Sequence, residues 1–191
     1  MQRIGLFGGS FDPVHLGHLL VAQAAREELR LDRLYFVLAA QSPFKPERQP
    51  NPARERLRLL RLALAGWDWC EIDEREIKRG GVSYTIDTVR EYVARFPGVK
   101  IDYLIGADHA TQLHKWRAAE DLARLVEFVV IARPGQPATA LPAPFRGQQL
   151  VGFPTAISSS QVRARVKAQL PIEPLVPAAV AEAIRNNGLY L

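Results

Sequence analysis

The stretch that most constrains this chain is Arg3-Ile4-Gly5-Leu6-Phe7-Gly8-Gly9-Ser10-Phe11-Asp12-Pro13-Val14-His15-Leu16-Gly17-His18. Ile4 to Phe7 is a short apolar run bounded by glycine, the pattern of a strand buried on both faces of a parallel sheet. Gly8 and Gly9 lack a Cβ, so a ligand can come close to the backbone there. Asp12-Pro13 breaks regular structure and sets a new direction. Apolar residues then recur at helical spacing through Leu16, Leu19, Leu20, Ala24 and Leu29, which predicts a helix over Leu16–Leu29. A strand that passes through a glycine turn into a helix is the repeating unit of an open α/β sheet.

His15 and His18 are three residues apart and share one face of that helix, in its first turn. The backbone N–H groups there have no intrahelical partner, and the peptide dipoles add partial positive charge. Such a helix start is an anion site, most often for phosphate, and two imidazoles can add donors to it. The glycines fit neither G-x-x-x-x-G-K-[ST] nor G-x-G-x-x-G. A zinc pair needs third and fourth ligands. The other histidines are His109 and His114 and the sole cysteine is Cys70, so no metal site is expected.

The chain has 191 residues, 48% of them hydrophobic, which suits one α/β domain over residues 1–191 with a real core. No run of eighteen apolar residues occurs, so no membrane span is expected. The first strand begins almost at once, leaving no visible signal peptide. One cysteine rules out an intrachain disulfide framework and fits a reducing cytoplasm. The net charge of +5 serves solubility or the attraction of phosphorylated small molecules. No basic run is interleaved with aromatics, so nucleic acid is not an expected partner.

Further along, Leu34–Leu38 reads as a second strand, completing a βαβ unit. A proline-rich loop over 39–52 places Lys45 just past a strand end, where ligands of open α/β sheets collect; a solvated loop lysine is the plainer alternative. Asn51-Pro52 opens a helix to about Ala65, with Leu57, Leu60 and Leu64 as its core face and Arg54, Arg56, Arg58 and Arg61 as its wet face. Cys70–Ile72 is a short strand. Ser83, Thr85 and Asp87 are candidate caps of a helix ending near Phe96, or parts of a second anion pocket at its start. Ile101–Ile105 is a strand that ends in Gly106-Ala107-Asp108, and an acid there often binds ribose hydroxyls. Trp116 is either a core or lid aromatic or a stacking plate for a flat ring. Phe128–Ala132 is another strand, and the Pro/Ala/Gly-rich segment 136–149 reads as a surface excursion.

A second motif is Ile157-Ser158-Ser159-Ser160-Gln161-Val162-Arg163. Ser158 to Gln161 fits a capping box. Helical side chains lean toward the N-terminus, so Arg163 can bring its planar fork of donors to the same point. A capped surface helix is the plain alternative, but two phosphate-ready helix starts in one chain suggest a polyphosphate held between them. Pro177 to Asn187 is a last helix, with Gly188 past its end.

Eleven positions from Gly8 to His18 match, without a gap, the GxFDPxHxGH signature of the HxGH nucleotidyltransferases. Together with SYTIDT at Ser83 to Thr88, GAD at Gly106 to Asp108, KW at Lys115 and Trp116, RPG at Arg133 to Gly135, and ISSSQVR at Ile157 to Arg163, the chain resembles the bacterial nicotinate-nucleotide adenylyltransferase family. The resemblance implies a Rossmann-like, doubly wound, mostly parallel sheet with helices on both faces and C-terminal helices. It implies a cytoplasmic enzyme of NAD biosynthesis that joins ATP and nicotinate mononucleotide into deamido-NAD and pyrophosphate.

Carried over residue by residue, the resemblance makes His18, His15 and Arg163 the catalytic set. Gly8, Gly9, Ser10, Phe11, Gly106, Asp108, Ile157, Ser158 and Ser159 join them in binding ATP. Lys45, Tyr84, Thr85, Trp116, Arg117 and Arg133 would receive nicotinate mononucleotide. Mg2+ would travel with ATP, and no tightly bound organic cofactor is implied; a homo-oligomer is left open. Ser160 stands where many relatives have threonine, and Arg117 where an aromatic is common. Two other readings remain at this point: an HxGH transferase acting on nicotinamide mononucleotide or phosphopantetheine, and a nucleotide-binding module without turnover.

Overall fold

The computed structural model describes residues 2–44, 49–132, 135, 139–153 and 155–191. Its centre is a six-stranded sheet built from β1 (Arg3–Gly9), β2 (Arg33–Leu38), β3 (Cys70–Asp73), β4 (Lys100–Gly106), β5 (Glu127–Ile131) and β6 (Gly147–Leu150). The strands lie in the order β3-β2-β1-β4-β5-β6, and every neighbouring pair is parallel. The order reverses between β1 and β4. In a sheet of this kind, the crevice beyond the carboxyl ends of those two strands is where ligands bind.

Residue alternation sorts the core into two layers. Phe7, Leu34, Phe36 and Leu38 face one side, together with apolar residues of α1 (Leu16–Leu29), α2 (Ala53–Ala63), α7 (Ser159–Lys167) and α8 (Ala178–Asn186). Ile4, Leu6, Tyr35 and Val37 face the other, against α4 (Thr85–Arg95), α5 (Ala107–Ala110) and α6 (Ala119–Leu125). The doubly wound α/β expectation therefore holds. A short α3 (Arg75–Arg79) leads toward α4.

Three local expectations change. Segment 136–149 was expected to be a surface excursion, yet its end forms β6, with Gly147 beside Phe128. A Cβ on Gly147 would sit 1.8 Å from the Phe128 carbonyl oxygen, so only glycine lets the backbone come this close. Arg56 does not belong to the wet face of α2: it is buried to 1% exposure, among backbone carbonyls. The start of α4 takes Tyr84 as its N-cap, without a side-chain cap. Ser83 Oγ instead accepts the Ala40 N–H at 2.9 Å, which ties the end of β2 to the approach of α4.

Candidate active site

The turn after β1 is shaped by its own side chains. Phe11 has φ of 44°, in the left-handed region that bulky residues seldom occupy. Its ring is buried between Phe7, Phe36 and His18, at centroid distances of 5.5, 5.4 and 5.0 Å. A Cβ on Gly9 would press within 3.0–3.2 Å of that ring, so the glycine is what lets Phe11 fold back. At Gly8 a Cβ would meet the Tyr103 hydroxyl at 2.5 Å. The space at these two glycines is thus filled by the protein's own aromatics, not by an open ligand channel.

His15 is the N-cap of α1, with extended backbone. Its N–H donates to His18 Nδ1 at 3.1 Å, and the two rings stack at 3.7 Å. Because Nδ1 of His18 accepts, its ring proton sits on Nε2, leaving that atom as a donor. Burial pushes the His15 pKa down to about 4. Burial, then the neighbouring His15, pushes His18 well below its ordinary range. Both shifts favour the neutral imidazole at pH 7, so neither ring adds a fixed charge to the site. Gly17 completes the packing: a Cβ there would meet the His15 ring at 3.0 Å and the Ile157 carbonyl oxygen at 3.5 Å.

That last contact brings in the second motif. Ser158 is the N-cap of α7, its Oγ accepting the Gln161 N–H at 3.2 Å. Ser159 Oγ donates to the Pro13 carbonyl oxygen at 2.8 Å, and Arg163 Nη1 donates to the Asp12 carbonyl oxygen at 2.6 Å. Two helix starts, separated by more than a hundred residues of chain, therefore meet at the carboxyl end of β1. Ser159 has a single hydroxyl proton and uses it on Pro13, so its backbone N–H is the donor it can offer an anion. A cleft of about 450 Å³ opens beside this junction, lined by Asp12, Asn51, Ser160, Arg163, Lys167 and Tyr190.

On the far side of the sheet's reversal point, β4 ends at Gly106, the N-cap of α5, and Asp108 is exposed there. A Cβ on Gly106 would meet nothing within 4 Å. Thr85 Oγ1 lies 3.3 Å from the Tyr103 hydroxyl, which links the start of α4 to the space beside Gly8. Trp116 is half-buried. Tyr103, Phe128 and His109 meet it edge-on at 6.2, 6.2 and 6.0 Å, whereas Phe44 lies tilted at 5.3 Å. Trp116 Nε1 is buried with no hydrogen-bond partner among the described residues. The Arg117 guanidinium stands 4.6 Å over the Tyr84 ring and 3.7 Å from the Asp87 carboxylate, so its charge is partly balanced. Lys45 and Arg133 lie outside the described residues. Among the described residues, no group of three or more His, Cys, Asp or Glu is gathered around a common point.

A family model described as Cytidylyltransferase-like matches residues 6–165. A probable nicotinate-nucleotide adenylyltransferase of Opitutus terrae is 43% identical over 99% of this chain and 98% of its own length. One from Thermus thermophilus is 42% identical over 99% and 100%. The chain belongs to the nicotinate-nucleotide adenylyltransferase family. Its fold is also that of a Plasmodium falciparum nicotinic acid mononucleotide adenylyltransferase solved with NaAD, at TM-score 0.79 and 17% identity over 100% and 98% of the two chains. A putative nicotinate-nucleotide adenylyltransferase of Vibrio parahaemolyticus superposes at TM-score 0.74 and 18% identity, over 100% and 96%.

In this adenylyltransferase the structure adds three residues to those singled out from sequence. Tyr103 links Gly8 to Thr85, His109 borders Trp116, and Phe44 faces it. Phe44 and His109 adjoin motif positions, but nothing in their spacing marks them as neighbours. Tyr103 reads as an ordinary strand residue.

Proposed function

We propose that the enzyme joins ATP and nicotinate mononucleotide, and that the junction of α1 and α7 grips the triphosphate. The observation that supports this reading is the pair of bonds from Ser159 to Pro13 and from Arg163 to Asp12. They set both phosphate-ready helix starts on one gap at the sheet's reversal point.

A 5′-phosphate oxygen of nicotinate mononucleotide attacks the α-phosphorus of ATP in line. The bond from that phosphorus to the bridging oxygen breaks, and pyrophosphate leaves with the electron pair. No protein nucleophile takes part, so the protein's work is placement and charge stabilisation. His18 donates from Nε2 to the α-phosphoryl oxygens as charge moves onto them, and His15 acts on the same phosphates. Backbone N–H groups at Ser10, Phe11, Ser158 and Ser159, with Arg163, hold the remaining phosphates. Magnesium arrives with ATP as part of the substrate.

Asp108 binds the adenosine ribose beside Gly106, where a Cβ on the glycine would meet nothing within 4 Å among the described residues. Trp116 stacks on the nicotinate ring, and Thr85 and Tyr84 receive its carboxylate end with Arg117 nearby. Lys45 and Arg133 complete this reading as contacts to the acceptor phosphate. A cytoplasmic location belongs to it as well, supported by the single cysteine.

The test is turnover of purified protein with MgATP and, separately, nicotinate mononucleotide, nicotinamide mononucleotide or phosphopantetheine, read by pyrophosphate release and product chromatography. Nicotinate mononucleotide is expected to give the highest kcat/KM. Product from the amide, with none from the acid, would overturn the substrate assignment.

A further inference from the structure

Arg56 has no part in the scheme above, yet it is the largest fully buried side chain of the described residues. Its three hydrogen bonds all run to backbone carbonyls. Nε donates to Asn51 O at 2.7 Å, and Nη1 donates to Ser10 O at 2.8 Å and to Ala39 O at 2.9 Å. A guanidinium remains charged in proteins, and burying one carries a desolvation cost that a purely space-filling side chain would avoid. The three acceptors belong to three different pieces of the site. Ser10 is in the phosphate turn after β1. Ala39 follows β2. Asn51 stands at the root of α2. Ala39 and Asn51 also bracket the loop that carries Phe44 to Trp116.

The bond to Ser10 has a directional consequence. In a trans peptide the C=O and N–H point opposite ways. With the Ser10 carbonyl turned onto the guanidinium, the Phe11 N–H of the same peptide is turned away from it. The left-handed φ of Phe11 means this turn is not one that local preference alone would keep.

We propose that Arg56 is a positioning residue for adenylyl transfer: it fixes the Ser10–Phe11 peptide so that the Phe11 N–H serves the triphosphate, and it locks the roots of the acceptor-nucleotide loop to the same frame. This rests on the adenylyl-transfer reading of the site. Lysine cannot replace it, because the three donors of an ammonium leave a single nitrogen, whereas the guanidinium reaches its carbonyls from two, Nε and Nη1, held in one plane.

The experiment compares wild type, R56K and R56M at a temperature where circular dichroism shows each folded, with KM for both substrates and kcat measured separately. A displacement of about 1 Å at a reacting group costs about 100-fold in rate, so kcat should fall by that order in both variants. KM should rise for ATP and for nicotinate mononucleotide together, since one group secures both loops. In R56A, millimolar guanidinium should restore part of kcat, while the same concentration of ammonium should not. A folded R56K or R56M with wild-type kcat and KM overturns the proposal, and so does rescue by ammonium equal to that by guanidinium. If R56M and R56A do not fold, R56K decides the matter alone by its kcat. Absence of turnover in the wild type overturns the adenylyl-transfer reading itself and this proposal with it; turnover in the wild type with unaffected variants overturns this proposal only.

Discussion

The two nitrogens of His18 have different tasks, and two substitutions separate them. Nδ1 accepts the His15 N–H at 3.1 Å and so belongs to the start of α1. Nε2 carries the ring proton, which the proposed scheme offers to the phosphoryl group. Asparagine places an oxygen near the Nδ1 position and nothing at Nε2. Glutamine reaches the Nε2 position with an amide N–H and leaves Nδ1 empty. H18N should therefore keep the helix start and lose the chemistry. Removing one donor aimed at developing charge costs about 2.7–4 kcal/mol, or about 100- to 1000-fold in kcat. H18Q should keep more activity but lose one hydrogen bond of about 1 kcal/mol, which lowers Tm by about 2–4 °C in a domain of this size. Both variants lose the ring contacts with Phe7, Phe11 and His15, so that common cost drops out of the comparison. The assay is pyrophosphate release at saturating ATP and nicotinate mononucleotide, with Tm by circular dichroism. A folded H18N within about threefold of wild-type kcat would refute the reasoning, as would H18Q falling below H18N in rate.

Three further outcomes are expected. The native pKa of His15 is about 4 against an ordinary 6.5, so between these values the unfolded chain binds a proton that the folded chain refuses. Stability should then fall as pH drops below 6.5, by about 2 kcal/mol between pH 7 and pH 5 from this group, and urea titrations should show a shallower decline in H15Q than in wild type; equal declines would contradict the buried neutral imidazole. W116A should raise KM for nicotinate mononucleotide about tenfold or more while leaving KM for ATP unchanged, since a lost stacking plate costs about 1–3 kcal/mol; a rise confined to ATP would refute the stacking. D102A should lower stability by about 3 kcal/mol, because Arg3 makes paired bonds of 2.5 and 2.8 Å to the fully buried Asp102; these residues lie at the amino ends of β1 and β4, so a fall in kcat below Tm would show that the two sheet ends are coupled.

The fold was legible wherever burial left a period in the sequence. β1, β2, β4 and β5 are apolar runs, and α1 repeats at helical spacing, so their placement followed from hydrophobicity alone. β6 was not legible: Gly-Gln-Gln-Leu carries no alternation, and the strand exists because Gly147 lets the chain lie against Phe128. Arg56 was missed for the opposite reason. Three other arginines surround it on one helix, and composition favours a wet face, but a single guanidinium is drawn inside by the carbonyls of Ser10 and Ala39, from two other segments, with that of Asn51 just upstream. Such a demand is tertiary and leaves no local mark. The helix start at Ser83 to Asp87 offered three plausible caps, and none is used, because Ser83 is taken by Ala40 and Asp87 by Arg117.

The site shows the same division between what motifs state and what packing decides. Sequence identifies Ser159 and Arg163 as anion donors, and the structure finds each committed in part to a carbonyl of the turn that precedes α1. Those bonds would be idle if α7 were simply a wall of the pocket. They make sense for a reaction in which the protein forms no covalent bond and gains its rate by holding phosphates in line. The entropy of bringing the two rims together is then lost once, on folding, rather than at each turnover. Gly17 serves this design more than it serves chain flexibility, since a Cβ there would press on the His15 ring at 3.0 Å while meeting the Ile157 carbonyl at an ordinary 3.5 Å. On this argument G17A should disturb the start of α1: the added methyl presses on the His15 ring, which is stacked on His18, whereas the Ile157 carbonyl stays in ordinary contact. The expected result is a fall in kcat with a rise in KM for ATP in a chain that still folds, measured by the same pyrophosphate assay. A G17A enzyme with wild-type constants would mean that the exact seat of the His15 ring does not matter to the reaction.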